Sequence, residues 1–350
     1  MATLLDATVR HSVYVTRHAS HIANRMVALL NRTEPDLVAQ IMAALERLPA
    51  ESFTVERLEL MLASFRSMNA ALHQQVRQAL TGDLTAFATY EAGFQARLLG
   101  DAAGVSFTAA TGEQVMAAAL SRPFQGVLLR EALAGVEASA AKRVRDAIRI
   151  GYVEGEPIDQ IVRRIKGTRS AGYADGILEW PRRDIATVTR TAVSHTASVA
   201  RAKTYESMDV KRFQWVSVLD SKTSLVCMGR SGKVYEVGKG PLPPAHMNCR
   251  STTIPLLPGQ EKLFGQRPAL DYSDGRPKAK LVDANTTFAQ WLKTQPAEVA
   301  DDMLGSTRAK LWRDGKITLD RFTDSRGRVL SLDELRRRDA SLFPEERKAA

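Results

Sequence analysis

A helical hydrophobic period runs almost unbroken through the first 120 residues, and it leaves few folds open. In "HIANRMVALLNR", Ile22, Met26, Leu29 and Leu30 return to one face while Arg25 and Arg32 fall between them. Pro35 reads as the start of the next helix, "PDLVAQIMAALERL", which Pro49 ends. "TVERLELMLASFRSMNAALHQQVRQAL" continues for many turns, and "TGD" at 81–83 marks a turn before "LTAFATYEAGFQARLL". Amphipathic helices of this kind pack on each other or on a partner. Residues 1–120 therefore read as a helical region for partner docking.

Residues 121–207 stay helical but become basic. "EALAGVEASAAKRVRDAIRIGYVEGEPIDQIVRRIKG" reads as helix, Gly-containing turn, then a helix that starts at "EPIDQ" and is capped by Gly167. "TRSAGYADGILEWPRRD" is loop-like, and Asp184 is the expected N-cap of the helix that follows. His195 lies in that helix and reads as a surface or packed residue.

The period changes at 211. "KRFQWVSVLD" alternates aromatic and β-branched residues as a strand does, "RSGKVYEVGKG" gives a second strand and "RSTTIPLLP" a third. Residues 208–257 thus form a β-rich module of about fifty residues, too small to bury a good core alone. It must lean on the preceding helices, be clipped, or both. Residues 258–280 are rich in Gly, Pro and charge and read as a linker. Residues 281–350 return to short helices as a tail, with Thr287 as a helix cap, Gly315 as a breaker, a capping box from Ser331 to Glu334 and a charged end. The expected class is α+β, predominantly α-helical, with long N-terminal helices, a small Cys/His module and a short helical tail.

Composition narrows the partners. The net charge of +10 and pI of about 9.7 point to an anionic partner, such as nucleic acid, a membrane surface or an acidic protein. No segment reaches the ~18 apolar residues of a membrane span, and "MATLLDATVRHSVYVTRH" reads as neither a signal nor a transit peptide. Two cysteines make no disulfide framework, so the expected site of folding is a reducing cytoplasm.

Those two cysteines frame the chemistry. Cys227 and Cys249 offer thiolates and His246 an imidazole, the ligand types zinc prefers. The His-x-x-Cys spacing allows two ligands to grip one ion from a tight turn stiffened by Pro243 and Pro244. Asp220, at the end of the first strand, is the best-placed fourth ligand, with water the alternative. Other readings stay open: buried apolar thiols, a histidine bonded to Asp220 or to a backbone carbonyl, or a Cys227–Cys249 disulfide formed outside the cytoplasm. No zinc-deaminase pair, His-Glu-x-x-His helix, Gly-x-Ser-x-Gly elbow or phosphate loop occurs. A Cys249 nucleophile with His246 as base has nothing but Asp220 to orient it. The chain is read as not an enzyme.

The order of these motifs resembles the phage head-morphogenesis, or minor head protein, family, of which phage Mu's F protein is the familiar representative. The resemblance rests on Trp215, "VSVLDSKTSLVC" with Asp220, Thr223 and Cys227, then Gly232, and finally Pro243, Pro244, His246, Asn248, Cys249 and Arg250. The lead-in helix "TVTRTAVSHTASVARAKTYES" and the C-terminal "TFAQWLKTQPAEVADDMLGSTRAKLWRDGKITLDRF" are similar to those of such proteins. Ser251 stands where many relatives carry a further Cys. The resemblance implies a minor component of a tailed-phage head, assembled in the host cytoplasm and oligomeric within the virion. It would sit at or near the portal, among other head proteins and with possible contact to packaged double-stranded DNA. The basic helices suit such contact, which would be sequence-independent and salt-dependent. The alternative is a metal-dependent nuclease or hydrolase acting on DNA during packaging, which would need several converging carboxylates.

Overall fold

The computed structural model describes residues 3–47 and 54–343. Six helices come first: α1 (Leu4–Glu46), α2 (Val55–Ala103), α3 (Gly112–Ser121), α4 (Leu129–Val153), α5 (Ile158–Lys166) and α6 (Glu179–Ser207). The mixed part follows with β1 (Arg212–Val216), α7 (Leu225–Arg230), β2 (Val234–Glu236), β3 (Thr252–Leu256), β4 (Gln266–Asp271) and β5 (Lys278–Asp283). Four short helices close the chain: α8 (Phe288–Lys293), α9 (Ala297–Leu304), α10 (Ser306–Arg313) and α11 (Leu332–Arg338). The expected class, α+β and mostly helical, is the observed one.

The chain divides into two compact units. A helical unit comprises Val15–Glu91 and Thr111–Ala197, and a mixed unit comprises Met1–Tyr14, Ala92–Ala110 and Ser198–Ala350. In the helical unit the core is aliphatic. Leu37, Val38, Ile41 and Leu45 of α1 meet Leu62 and Phe65 of α2, Val144, Ala147 and Ile148 of α4, and Ile161 and Ile165 of α5. These positions recur every three or four residues, the spacing that puts side chains on one helix face.

Local breaker signals were overridden at three places here. Pro35 lies inside α1 rather than at a helix start. Proline removes one N–H from the ladder, but the buried stripe on both sides keeps the helix going, and the Thr33 hydroxyl donates to the Leu30 carbonyl. The "TGD" turn is likewise absent, because α2 runs straight through Gly82. Leu80 and Leu84 are both buried, and their burial outweighs the roughly 1 kcal/mol helix penalty of one glycine. Helix α6 begins at Glu179, so Asp184 is no N-cap; Pro181 falls in the first turn, where its missing N–H has no partner to lose. The expected C-cap at Gly167 is present, with φ 89°, in the left-handed region that glycine enters freely. Pro49 and the charged end beyond Phe343 lie outside the described residues.

The mixed unit has a three-stranded antiparallel sheet in the order β2-β1-β3. Phe213 faces Tyr235 on one side and Pro255 on the other, and Trp215 faces Thr253. Phe213, Gln214, Trp215 and Val216 of the central strand are all buried, so this strand is covered on both faces.

The cover comes from two directions. From α6, Tyr205 packs with Leu99, Val210 and Phe213, and its hydroxyl donates to the Thr253 carbonyl at 3.0 Å. Burial pushes that phenol up to about 12. From the C-terminal helices, Phe288, Trp291, Leu304, Trp312 and Phe322 enclose Leu219 and Met228. Helix α7 comes so close to this layer that a Cβ on Gly229 would stand 2.6 Å from the Asp320 Cα. The segment read as a tail is thus part of the core. The segment read as a linker, 258–280, contains β4 and the start of β5, which form an antiparallel hairpin. Asp274, Gly275 and Pro277 lie in the turn at the hairpin's tip, and Pro268 lies within β4. Arg267 and Ala269 on β4 are buried.

Candidate metal centre

Strand β1 ends in a hydrogen-bond hub that sequence reading does not isolate. The Trp215 indole donates to the Ser217 hydroxyl at 2.9 Å, and that hydroxyl donates to the Cys227 carbonyl at 2.7 Å. The Ser251 hydroxyl donates to Ser217 at 3.2 Å. One donor and two acceptor sites are therefore filled on Ser217, the full capacity of a hydroxyl. The hub ties β1, α7 and the start of β3 together under the buried Trp215 ring. The Arg230 guanidinium lies 5.2 Å from the centroid of that ring.

Above the hub, α7 supplies Cys227 and the turn from 243 to 251 supplies His246 and Cys249. The turn folds back through a Cys249 N–H to His246 carbonyl bond of 3.2 Å and a left-handed Asn248 at φ 56°. Asparagine tolerates that conformation better than most side chains. The result is a Cys–His–Cys group whose ligand atoms all lie within 4.8 Å of one another. Both cysteines are buried, and no disulfide joins them.

The donor set fits a tetrahedral ion. The two Sγ atoms are 3.6 Å apart. Two thiolates on one zinc at ~2.3 Å and tetrahedral angles stand about 3.8 Å apart, whereas a disulfide holds its sulfurs at about 2.05 Å. His246 Nδ1 donates to the Met247 carbonyl at 2.8 Å, which leaves Nε2 with its lone pair. A backbone carbonyl on the second ring nitrogen is the usual way a metal-binding histidine is oriented.

The electrostatics separate the two thiols. Cys249 is held well below the ordinary thiol range, first by the hydrogen bond from Cys227 and then by His246, against the opposing effect of burial. Cys227 is pushed up by that same bond and by burial. Burial alone would lower His246, but its bond to Cys249 and the charge there outweigh it, and the net shift is upward.

Asp220 does not join this group. Arg250, the residue after Cys249, takes it in a two-pronged pair of 2.6 and 2.8 Å. The Lys222 N–H also donates to its Oδ1 at 3.1 Å. Burial raises the Asp220 pKa, but the Arg250 bond and charge more than offset this, so the carboxyl is held below its usual value. The Arg in the "His-x-Asn-Cys-Arg" run is the signal that could have revealed this, since a guanidinium fork beside a turn calls for a carboxylate. Arg267, from the supposed linker, anchors the same corner. It donates to the Ser217 carbonyl at 3.1 Å and the Thr286 carbonyl at 2.8 Å, and burial lowers its pKa to about 10.

His195 lies outside the mixed unit. Its Nε2 donates to the Ala119 carbonyl at 3.0 Å, and the Phe124 ring lies tilted against it at 5.3 Å between centroids. It is a packed helix residue.

Among known proteins, residues 142–254 match the family model described as phage Mu protein F like protein. The match runs from the middle of α4 to the middle of β3 and includes Trp215, Asp220, Cys227, His246, Cys249 and Arg250. It supports the head-morphogenesis assignment that the motif order suggested. No curated protein and no solved structure matches the chain. No described helix is long and apolar enough to cross a membrane.

Proposed function

We propose that the chain is a minor head protein of a tailed bacteriophage that acts in head assembly at or near the portal. In this reading it works as a structural component in the virion, without catalysis, among other head proteins and with sequence-independent contact to packaged DNA. The observation that carries it is the coincidence of the phage Mu F-like match with a closed Cys–His–Cys clasp on the same residues. A zinc ion held by Cys227, His246 and Cys249, with water as the fourth ligand, would supply a structural cross-link between α7 and the 243–251 turn. That cross-link would add to the cover that α6 and the C-terminal helices already give the β1–β3 sheet.

The nuclease alternative needs carboxylates that converge on a metal pair. Among the described residues, the group of three or more potential ligands with converging atoms contains no carboxylate. Asp220, its nearest candidate, is already neutralised by Arg250. The reading is tested by mass spectrometry of purified particles and of heads assembled without this chain. A few copies per particle that co-purify with the portal protein, and defective heads in their absence, are expected. Absence from purified particles overturns it.

A further inference from the structure

The helical unit holds a cleft of about 730 Å³ that is separate from the clasp. One wall is α1, with Asn24, Val27 and Asn31 at helical spacing; the other is α6, with Arg183, Thr187 and Arg190. Gly172 and Tyr173 close one end from the loop between α5 and α6.

Three features suit this cleft to an anion. Its frame is fixed by Arg182, which is only 16% exposed, pairs with Glu34 and Glu179, and donates to Asn31 Oδ1 at 2.7 Å. Its charge is less well matched. Arg182 takes Glu34 and Glu179, Arg183 shares Glu179 at 3.1 Å, and among the described residues the Arg190 side chain forms no ion pair and no hydrogen bond. Its end wall carries backbone strain. Tyr173 is held at φ 65°, a left-handed conformation costly for a tyrosine, while Lys166 lies 5.2 Å from its ring centroid. The loop that carries it is pinned by Asp175, whose carboxylate accepts from both the N–H and the hydroxyl of Thr168 at 2.8 Å.

We propose that this cleft binds a phosphate group, with Arg190 as its unpaired cation, Arg183, shared with Glu179, beside it, and Asn24 and Thr187 as neutral hydrogen-bonding groups. Arg, Asn, Thr and Tyr are the side chains that contact phosphodiesters. An acidic peptide is a poorer fit, because protein docking depends on apolar and aromatic anchors in a pocket. Here Val27 and Ala186 are the aliphatic lining, and the aromatic Tyr173 already has Lys166 5.2 Å from its ring centroid. The phosphodiester backbone of DNA is the source that follows from, and rests on, the function proposed above; a free polyphosphate shares its chemistry.

The test uses the full chain. Fluorescence anisotropy follows a labelled duplex of arbitrary sequence, and calorimetry follows inorganic pyrophosphate. The variants are Arg190→Glu, Arg190→Gln, and Arg276→Glu at the exposed tip of the β4–β5 hairpin as a control with the same change of charge. Arg190→Glu is expected to weaken the duplex roughly tenfold and to flatten the salt dependence by about one unit of slope. Arg190→Gln falls between, and Arg276→Glu stays near wild type. Pyrophosphate binding that needs Arg190, without duplex binding, keeps the phosphate site and makes a small phosphate its occupant. Equal losses at Arg276 and Arg190, tighter Arg190-dependent binding of poly-glutamate, or no binding of either phosphate overturns the proposal. Those outcomes leave incorporation into heads untouched, so the two readings fail separately.

Discussion

In the helical unit, Leu37, Ile41 and Leu45 repeat one kind of contact along α1, and the same aliphatic burial recurs on α2, α4 and α5. In the mixed unit, cohesion at the clasp falls to a few residues that have no substitutes: the Trp215–Ser217–Cys227 relay, the Arg250–Asp220 fork and the Cys–His–Cys group. Redundant apolar packing tolerates local faults such as Pro35 and Gly82, because each lost contact is a small part of a long stripe. A site made of unique polar partners has no such reserve, since one missing partner leaves another buried and unpaired.

This contrast can be broken by mutation. Trp215→Ala removes the largest buried ring of the module and the donor to Ser217, and is expected to destabilise the mixed unit by about 3–5 kcal/mol. Denaturant unfolding followed by segment-resolved hydrogen exchange measures it. A loss shared equally by both units would remove the distinction drawn here. Next in size is metal removal. A strong chelator should lower the stability of the mixed unit by about 3 kcal/mol, the effect of free metal at a hundred times its dissociation constant, and leave α4 and α5 protected. Cys227→Ser should abolish that response.

Acid separates the units in a third way. His18, His73 and His195 all lie in the helical unit, and burial is the first cause that lowers each below 6.5. Their folded state favours the neutral ring, so the stability they permit is full above about pH 6.5 and is lost as pH falls through their folded values. Asp220, held below 3.8, keeps its contribution until pH drops under that value. With metal removed by a chelator, hydrogen exchange at falling pH should therefore loosen the helical unit first; earlier loosening around Asp220 would contradict this. The smallest effect expected is a gain. Gly82 in α2 has nothing within 4 Å of an added Cβ, so Gly82→Ala should stabilise the helical unit by roughly 0.5–1 kcal/mol in thermal unfolding.

The same contrast explains what could be read from the sequence. The helical period, the three strands, Gly167 and the caps at Thr287 and Ser331 were legible because they depend on near neighbours. Pro35, Gly82 and Asp184 misled for that very reason: their local signals yielded to burial along α1 and α2 and to an earlier start of α6. The hairpin in 258–280 was hidden because β4 and β5 have little apolar alternation, with exposed Leu281 on one strand and buried Arg267 on the other. At the clasp, Cys227, His246 and Cys249 were legible as donor types. The assignment of Asp220 to Arg250 was not, because thirty residues separate them and only the folded turn brings them together.

Elemental analysis of the purified full-length chain and of Cys249→Ser tests the clasp most directly. About one zinc per chain in the wild type and none in the variant is the predicted result. A metal-free wild type, or zinc retained in full by the variant, would contradict it.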